Sequence, residues 1–131
     1  MYKKTINYVD LNGKEHVEDH YFNLNKAELI KLQMSVKGGF DAELQRILRE
    51  DDQPAFVDMF EDLIRRSYGI KTLDGSGFIK PKDAYDAFVA SEAYSELFVE
   101  LFTNKEAVVE FFNMIVPAAI INQIAANNAE N

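Results

Sequence analysis

The chain has 131 residues, 47% hydrophobic and 27% charged, with 22 acidic against 14 basic side chains and a formal net charge of −8. That length fits one domain (residues 1–131) able to bury roughly two-thirds of its extended surface in one core, and the composition is that of a folded chain. The acidic balance argues against nonspecific attachment to nucleic acid or anionic membranes, and the lack of cysteine excludes disulfides, thiolate metal sites, iron–sulfur clusters and cysteine nucleophiles.

Residues 4–9 and 14–22 are rich in β-branched and aromatic side chains, with Asp10-Leu11-Asn12-Gly13 between them. Asn-Gly tolerates the positive φ of a tight turn, so residues 3–22 are predicted as a β-hairpin that must pack on, or pair with, the rest of the chain. The pattern then becomes helical. Asn25 and Glu28 form a capping box for a first helix carrying Ala27, Leu29, Ile30, Leu32 and Met34, with Gly38-Gly39 as its stop. A second helix runs from about Asp41 to Glu50. Asp52 caps a third, with Pro54 in its first turn, an apolar stripe from Phe56 to Tyr68, and Gly69 at its end. Residues 70–80 read as two short extended pieces around a glycine turn. Pro81 opens a fourth helix, a break near Ser91 starts a fifth, and Thr103 with Glu106 is a second capping box, opening a sixth helix that Pro117 interrupts. A last short helix is predicted over 118–126, and residues 127–131 read as a frayed tail. The expected fold class is α+β: a mainly helical domain, residues 25–126, with an N-terminal β-hairpin.

The chemistry-bearing residue types are sparse. His16 and His20 are the only histidines; on a strand they stand roughly 13 Å apart, too far to share one ion. The segment Thr72–Asp83 resembles an EF-hand loop at Asp74, Ser76, Gly77 and Ile79. It has Thr72 where the first acidic ligand belongs, Asp83 in place of the bidentate Glu, and Lys80 inside the loop, so a plain turn is the expectation there. The acids Glu50, Asp51, Asp52, Asp58, Glu61 and Asp62 read as a solvated face. No Ser–His–Asp relay, phosphate-binding loop or dinucleotide fingerprint assembles from this sequence, so neither a catalytic site nor a cofactor is expected.

Aromatic load is the informative feature. Five of the ten phenylalanines lie between Phe88 and Phe112, and the sixth helix is apolar around most of its circumference. Either that helix is buried on all sides, or one side is left for a partner. The candidate partner-binding residues are Tyr94, Phe98, Phe102, Phe111, Phe112, Ile115 and Ile120; Phe98 and Phe102 share one helical face, as do Phe111 and Ile115.

Several stretches together resemble the tail assembly chaperones of long-tailed bacteriophages with noncontractile tails. They are Tyr8-Val-Asp-Leu-Asn-Gly13, Tyr21-Phe-Asn-Leu-Asn-Lys-Ala-Glu-Leu29, Ser67-Tyr-Gly69 followed by Asp74-Gly75 and Phe78-Ile-Lys80, Glu92-Ala-Tyr-Ser-Glu-Leu-Phe98, and Phe112-Asn-Met-Ile-Val-Pro117. The resemblance spans about residues 8–117 and rests on order and spacing. It implies a noncatalytic role: binding the long, aggregation-prone tape measure protein in the host cytoplasm, promoting assembly of the tail tube, and leaving before the virion is complete. It also implies a possible longer, frameshifted product that recruits the tube protein, this chain being the short form. Two other classes fit the residues: an EF-hand-like calcium module, and a self-assembling structural protein whose apolar surplus joins copies of itself. The N-terminus has no apolar stretch like that of a signal peptide, and the longest apolar run, Met114–Ile121, contains Pro117 and is too short for a membrane span.

Overall fold

Gly13 adopts φ +81°, and the Asp10 carboxylate accepts the backbone N–H groups of Asn12 and Lys14 at 2.8 and 2.9 Å. This turn joins strand β1 (Tyr2–Val9) to strand β2 (Glu15–Phe22), paired antiparallel from Tyr2 opposite Phe22 to Val9 opposite Glu15. The structure, a computed structural model of the chain, describes residues 1–117. The alternation expected of a half-buried hairpin is present: Ile6 and Phe22 are buried, while Lys3, Thr5, Asn7 and Val17 face out.

Six helices follow among the described residues: α1 (Lys26–Met34), α2 (Phe40–Glu50), α3 (Gln53–Ser67), α4 (Lys82–Val89), α5 (Glu92–Thr103) and α6 (Lys105–Ile115). Three of their starts carry side-chain caps at predicted positions. Asn25 and Glu28 exchange both bonds of a capping box. Asp52 accepts from Ala55 N–H ahead of Pro54, and Ser91 accepts from Tyr94 N–H. Strand β3 (Tyr68–Lys71) pairs with β2 through Tyr21–Gly69 and Phe22–Tyr68, and strand β4 (Phe78–Ile79) pairs with β3, giving one antiparallel sheet in the order β1-β2-β3-β4. The hairpin thus escapes its marginal stability in two ways, by pairing with β3 and by packing β1 against α5.

Three boundaries differ from the sequence expectation. Helix α1 stops at Ser35, whose hydroxyl donates to the Leu32 carbonyl; Gly38 and Gly39 lie beyond it, in the connection to α2. Tyr68 is a strand residue rather than the last turn of α3, because Gly69 lets the β4 backbone come close: a Cβ there would sit 2.3 Å from the Ile79 carbonyl oxygen. Asn104, not Thr103, caps α6, accepting from the N–H groups of Glu106 and Ala107, while the Thr103 hydroxyl donates back to the Val99 carbonyl. The predicted helix over 118–126, the tail over 127–131 and Ile120 lie outside the described residues.

The buried side chains form one cluster to which the sheet and every helix contribute. Phe111 is its hub. Its ring meets Tyr2 and Phe22 of the sheet edge-on at 5.8 and 5.3 Å, and lies 6.3 Å from Phe60 of α3.

Candidate partner-binding surface

Packing sorts the aromatic surplus into two groups. Phe111, Phe112 and Ile115 on α6 are 2%, 1% and 4% exposed. They face the sheet and α3 and form the inward-packing share of the seven candidate residues. On α5 the apolar residues divide by angle around the helix. Ala93, Leu97 and Leu101 point into the core, Tyr94 and Phe98 are half-buried, and Phe102 is exposed.

Helices α3 and α5 lie antiparallel, as their ring contacts require. Phe60 is 5.9 Å from Tyr94 and 5.7 Å from Phe98, and Phe56, one turn earlier on α3, is 6.4 Å from Phe102, one turn later on α5. Phe98 stacks on Phe102 at 5.6 Å. The rings make a continuous ladder along the seam of the two helices, opening at each end into a depression. At the Tyr94 end, Glu61, Tyr94, Ser95, Phe98 and Val99 line a volume of about 270 Å³. At the Phe102 end, Ile47, Leu48, Phe56, Phe102 and Val108 floor a recess of about 40 Å³ with Asp51, Asp52 and Lys105 at its rim. Sequence reasoning missed Val99, which is exposed, and the α3 wall contributed by Phe56 and Glu61. Val99 was detectable as an apolar residue on a helical face otherwise made of Ser95, Glu92 and Glu96. The α3 wall depends on tertiary packing and had no local signal.

The two helices are acidic, but on the seam itself the unbalanced charge is at the Tyr94 end, where Glu61 is the acid that lines the depression. Helix α5 contains Glu92, Glu96 and Glu100 and no basic residue; α3 contains Asp58, Glu61 and Asp62 before its first arginine, Arg65. Arg65 and Arg66 are both held by Asp62, and Lys4 holds Glu100 at 3.0 Å. Glu61 has no ion-pair partner among the described residues. The phenol of Tyr94 is pushed up to about 12, first by burial and then by the negative charge of Glu61. At the other end the charges balance: Asp52 meets Arg46 at 3.3 Å, and Lys105 lies 3.7 Å from Asp51 while donating to the Leu48 carbonyl.

The other sequence candidates have structural partners. His16 contacts Asp10 at 2.7 Å and stacks on Tyr8; His20 contacts Glu18 and the Tyr68 hydroxyl, each at 3.1 Å. The two imidazoles thus belong to separate pairs along β2, and no group of three or more metal-ligating side chains occurs among the described residues. Residues 72–77 form a hairpin turn. Thr72 N–H donates to the Gly77 carbonyl, and the Asp74 carboxylate accepts from the hydroxyls of Thr72 and Ser76 and from Ser76 N–H, holding its pKa down at about 2. Lys80 turns away to Glu28 and the Arg66 carbonyl. Of the acids read as a solvated face, Glu50 and Asp52 flank Arg46 together with Glu43. No helix among the described residues is long and apolar enough to cross a membrane.

Compared with known proteins, residues 1–131 match the family described as phage tail assembly chaperone, and the chain belongs to that family. No curated protein and no solved structure matches it.

Proposed function

From the chain's membership in the phage tail assembly chaperone family, we propose that it binds the tape measure protein in the host cytoplasm. It shields apolar helices of that protein from aggregation and releases them as tube subunits assemble around them. A longer frameshifted product would carry the contact to the tube protein. The chain acts by binding rather than by catalysis, as the chaperone family suggests. One observation carries this reading: the aromatic ladder Tyr94–Phe98–Phe102 on α5, which leaves a half-exposed apolar seam against α3 although the chain has ample core elsewhere. Such a seam accepts the apolar stripe of an amphipathic helix, and a negative surface keeps the complex in solution. The test is co-expression of the tape measure protein of the same phage with and without this chain. The soluble fraction should rise severalfold with it, and the two should co-purify. Equal insolubility in both cases overturns the reading.

A further inference from the structure

We infer that the α3–α5 seam selects its partner helix by charge, taking one whose apolar stripe is flanked by lysine or arginine. This rests on the reading of the seam as a helix-binding surface and adds the chemistry of the occupant. The floor of the seam is apolar and spans the rings from Tyr94 to Phe102, two helical turns or about 12 Å along α5. The depression at one end and the recess at the other can each receive one side chain of a docked helix, so the anchors on the partner fall at about i and i+7. On the α3 border of the larger depression stands Glu61; the other acids of the two helices lie on different faces, Glu96 and Glu100 toward the hairpin and Asp58 and Asp62 toward α2. Their basic neighbours are already engaged, Arg65 and Arg66 with Asp62 and Lys4 with Glu100. Glu61 stands at the mouth of the larger depression with no ion-pair partner among the described residues. A helix bearing an acid beside its stripe at the larger depression meets like charge at Glu61, whereas one bearing lysine or arginine there meets complementary charge.

The probes are two synthetic amphipathic helices of roughly 20 residues, long enough to be partly helical alone. They share the same leucine stripe and are flanked by lysine in one and glutamate in the other; a third carries the same lysines with the leucines scrambled. Binding to the full chain is measured by calorimetry at about 50 mM and about 500 mM salt. The lysine-flanked helix is expected to bind about threefold tighter than the glutamate-flanked one at low salt, through the pair it makes with Glu61. That gap should shrink at high salt, and Glu61→Lys should shrink it at low salt. Val99→Ser and Phe102→Ser, both at exposed positions, should weaken binding of the lysine-flanked helix. Equal affinity of the two striped helices, or of the scrambled one, overturns the inference, as does Glu61→Lys with no effect. Solubilisation of the tape measure protein that survives Glu61→Lys unchanged removes the charge rule alone, whereas loss of solubilisation by the wild-type chain removes the helix-binding reading beneath it.

Discussion

Replacing Phe111 by alanine should be among the most damaging single changes in this chain, and replacing Phe102 among the mildest of the aromatic ones. Phe111 is 2% exposed and touches Tyr2, Phe22, Phe60 and Phe112, joining the sheet to α3 and α6. Its removal leaves a cavity walled by rigid rings that cannot collapse, so the cost is about 3–5 kcal/mol. For a chain of this size that lowers the melting temperature by about 10–20 °C. Phe102 is 41% exposed and its ring opens to solvent. Truncating it forfeits part of the roughly 1.5–3 kcal/mol of a fully buried side chain and creates no enclosed void, so the cost is about 1–2 kcal/mol. Urea unfolding followed by circular dichroism gives both values. Comparable costs for the two variants, or a larger one for Phe102→Ala, would refute the division of the aromatics into core and surface.

Gly69→Ala should cost more than 2 kcal/mol, about the upper range of ordinary point changes, because its methyl group meets the Ile79 carbonyl and the Phe78 ring; a melting temperature within 2 °C of wild type, as for a change of well under 1 kcal/mol, contradicts the β3–β4 pairing. Gly13→Ala has open space for its methyl group but must hold φ +81°, so a loss of about 1 kcal/mol is expected, and recovery by Gly13→Asn relative to alanine checks the cause. Acid should destabilise the fold through Asp10, Glu18 and Asp74. Their carboxyls are held below the ordinary values of 3.8 and 4.5 by hydrogen bonds, first from His16, Tyr8 and Thr72 respectively. Depressed carboxyls contribute stability that is complete above those ordinary values and lost as pH falls through the lowered ones, toward about 2 for Asp74. Melts between pH 6 and 2 should show that slope, and Asp74→Asn should flatten its most acidic part. Millimolar calcium should leave the melting temperature unchanged, since the Asp74 carboxylate is engaged within its own turn; a saturable rise would mean that the 72–83 loop rearranges into a cation site.

Local chemistry explains what the sequence made legible. Asn12-Gly13, Asn25 with Glu28, Asp52 with Pro54, and Ser91 each act within a few residues of themselves, and each marks the boundary it promises. The α3–β3 boundary was not legible, because Tyr68 leaves the helix to pair with Phe22, forty-six positions earlier, a partner no local window contains. At the start of α6 two capping residues stand side by side, and Asn104 wins because the Thr103 hydroxyl is engaged with the preceding turn. The seam was half legible. Helical period placed Phe98 and Phe102 on one face. It could not show that the sheet and α3 would enclose Phe111, Phe112 and Ile115, or that Phe56 and Glu61 would complete the surface from another helix.

Whether the α3–α5 seam is what holds the tape measure protein is decided by changing its exposed side chains. Val99→Asp and Phe102→Ser alter exposed side chains and should leave the far-ultraviolet spectrum and cooperative melting intact. Co-expressed with the tape measure protein of the same phage, each is predicted to leave it largely insoluble where the wild-type chain keeps it in solution. Full solubilisation by both folded variants would contradict the account, and would move the search to the hairpin face of Asn7, Tyr8 and His16.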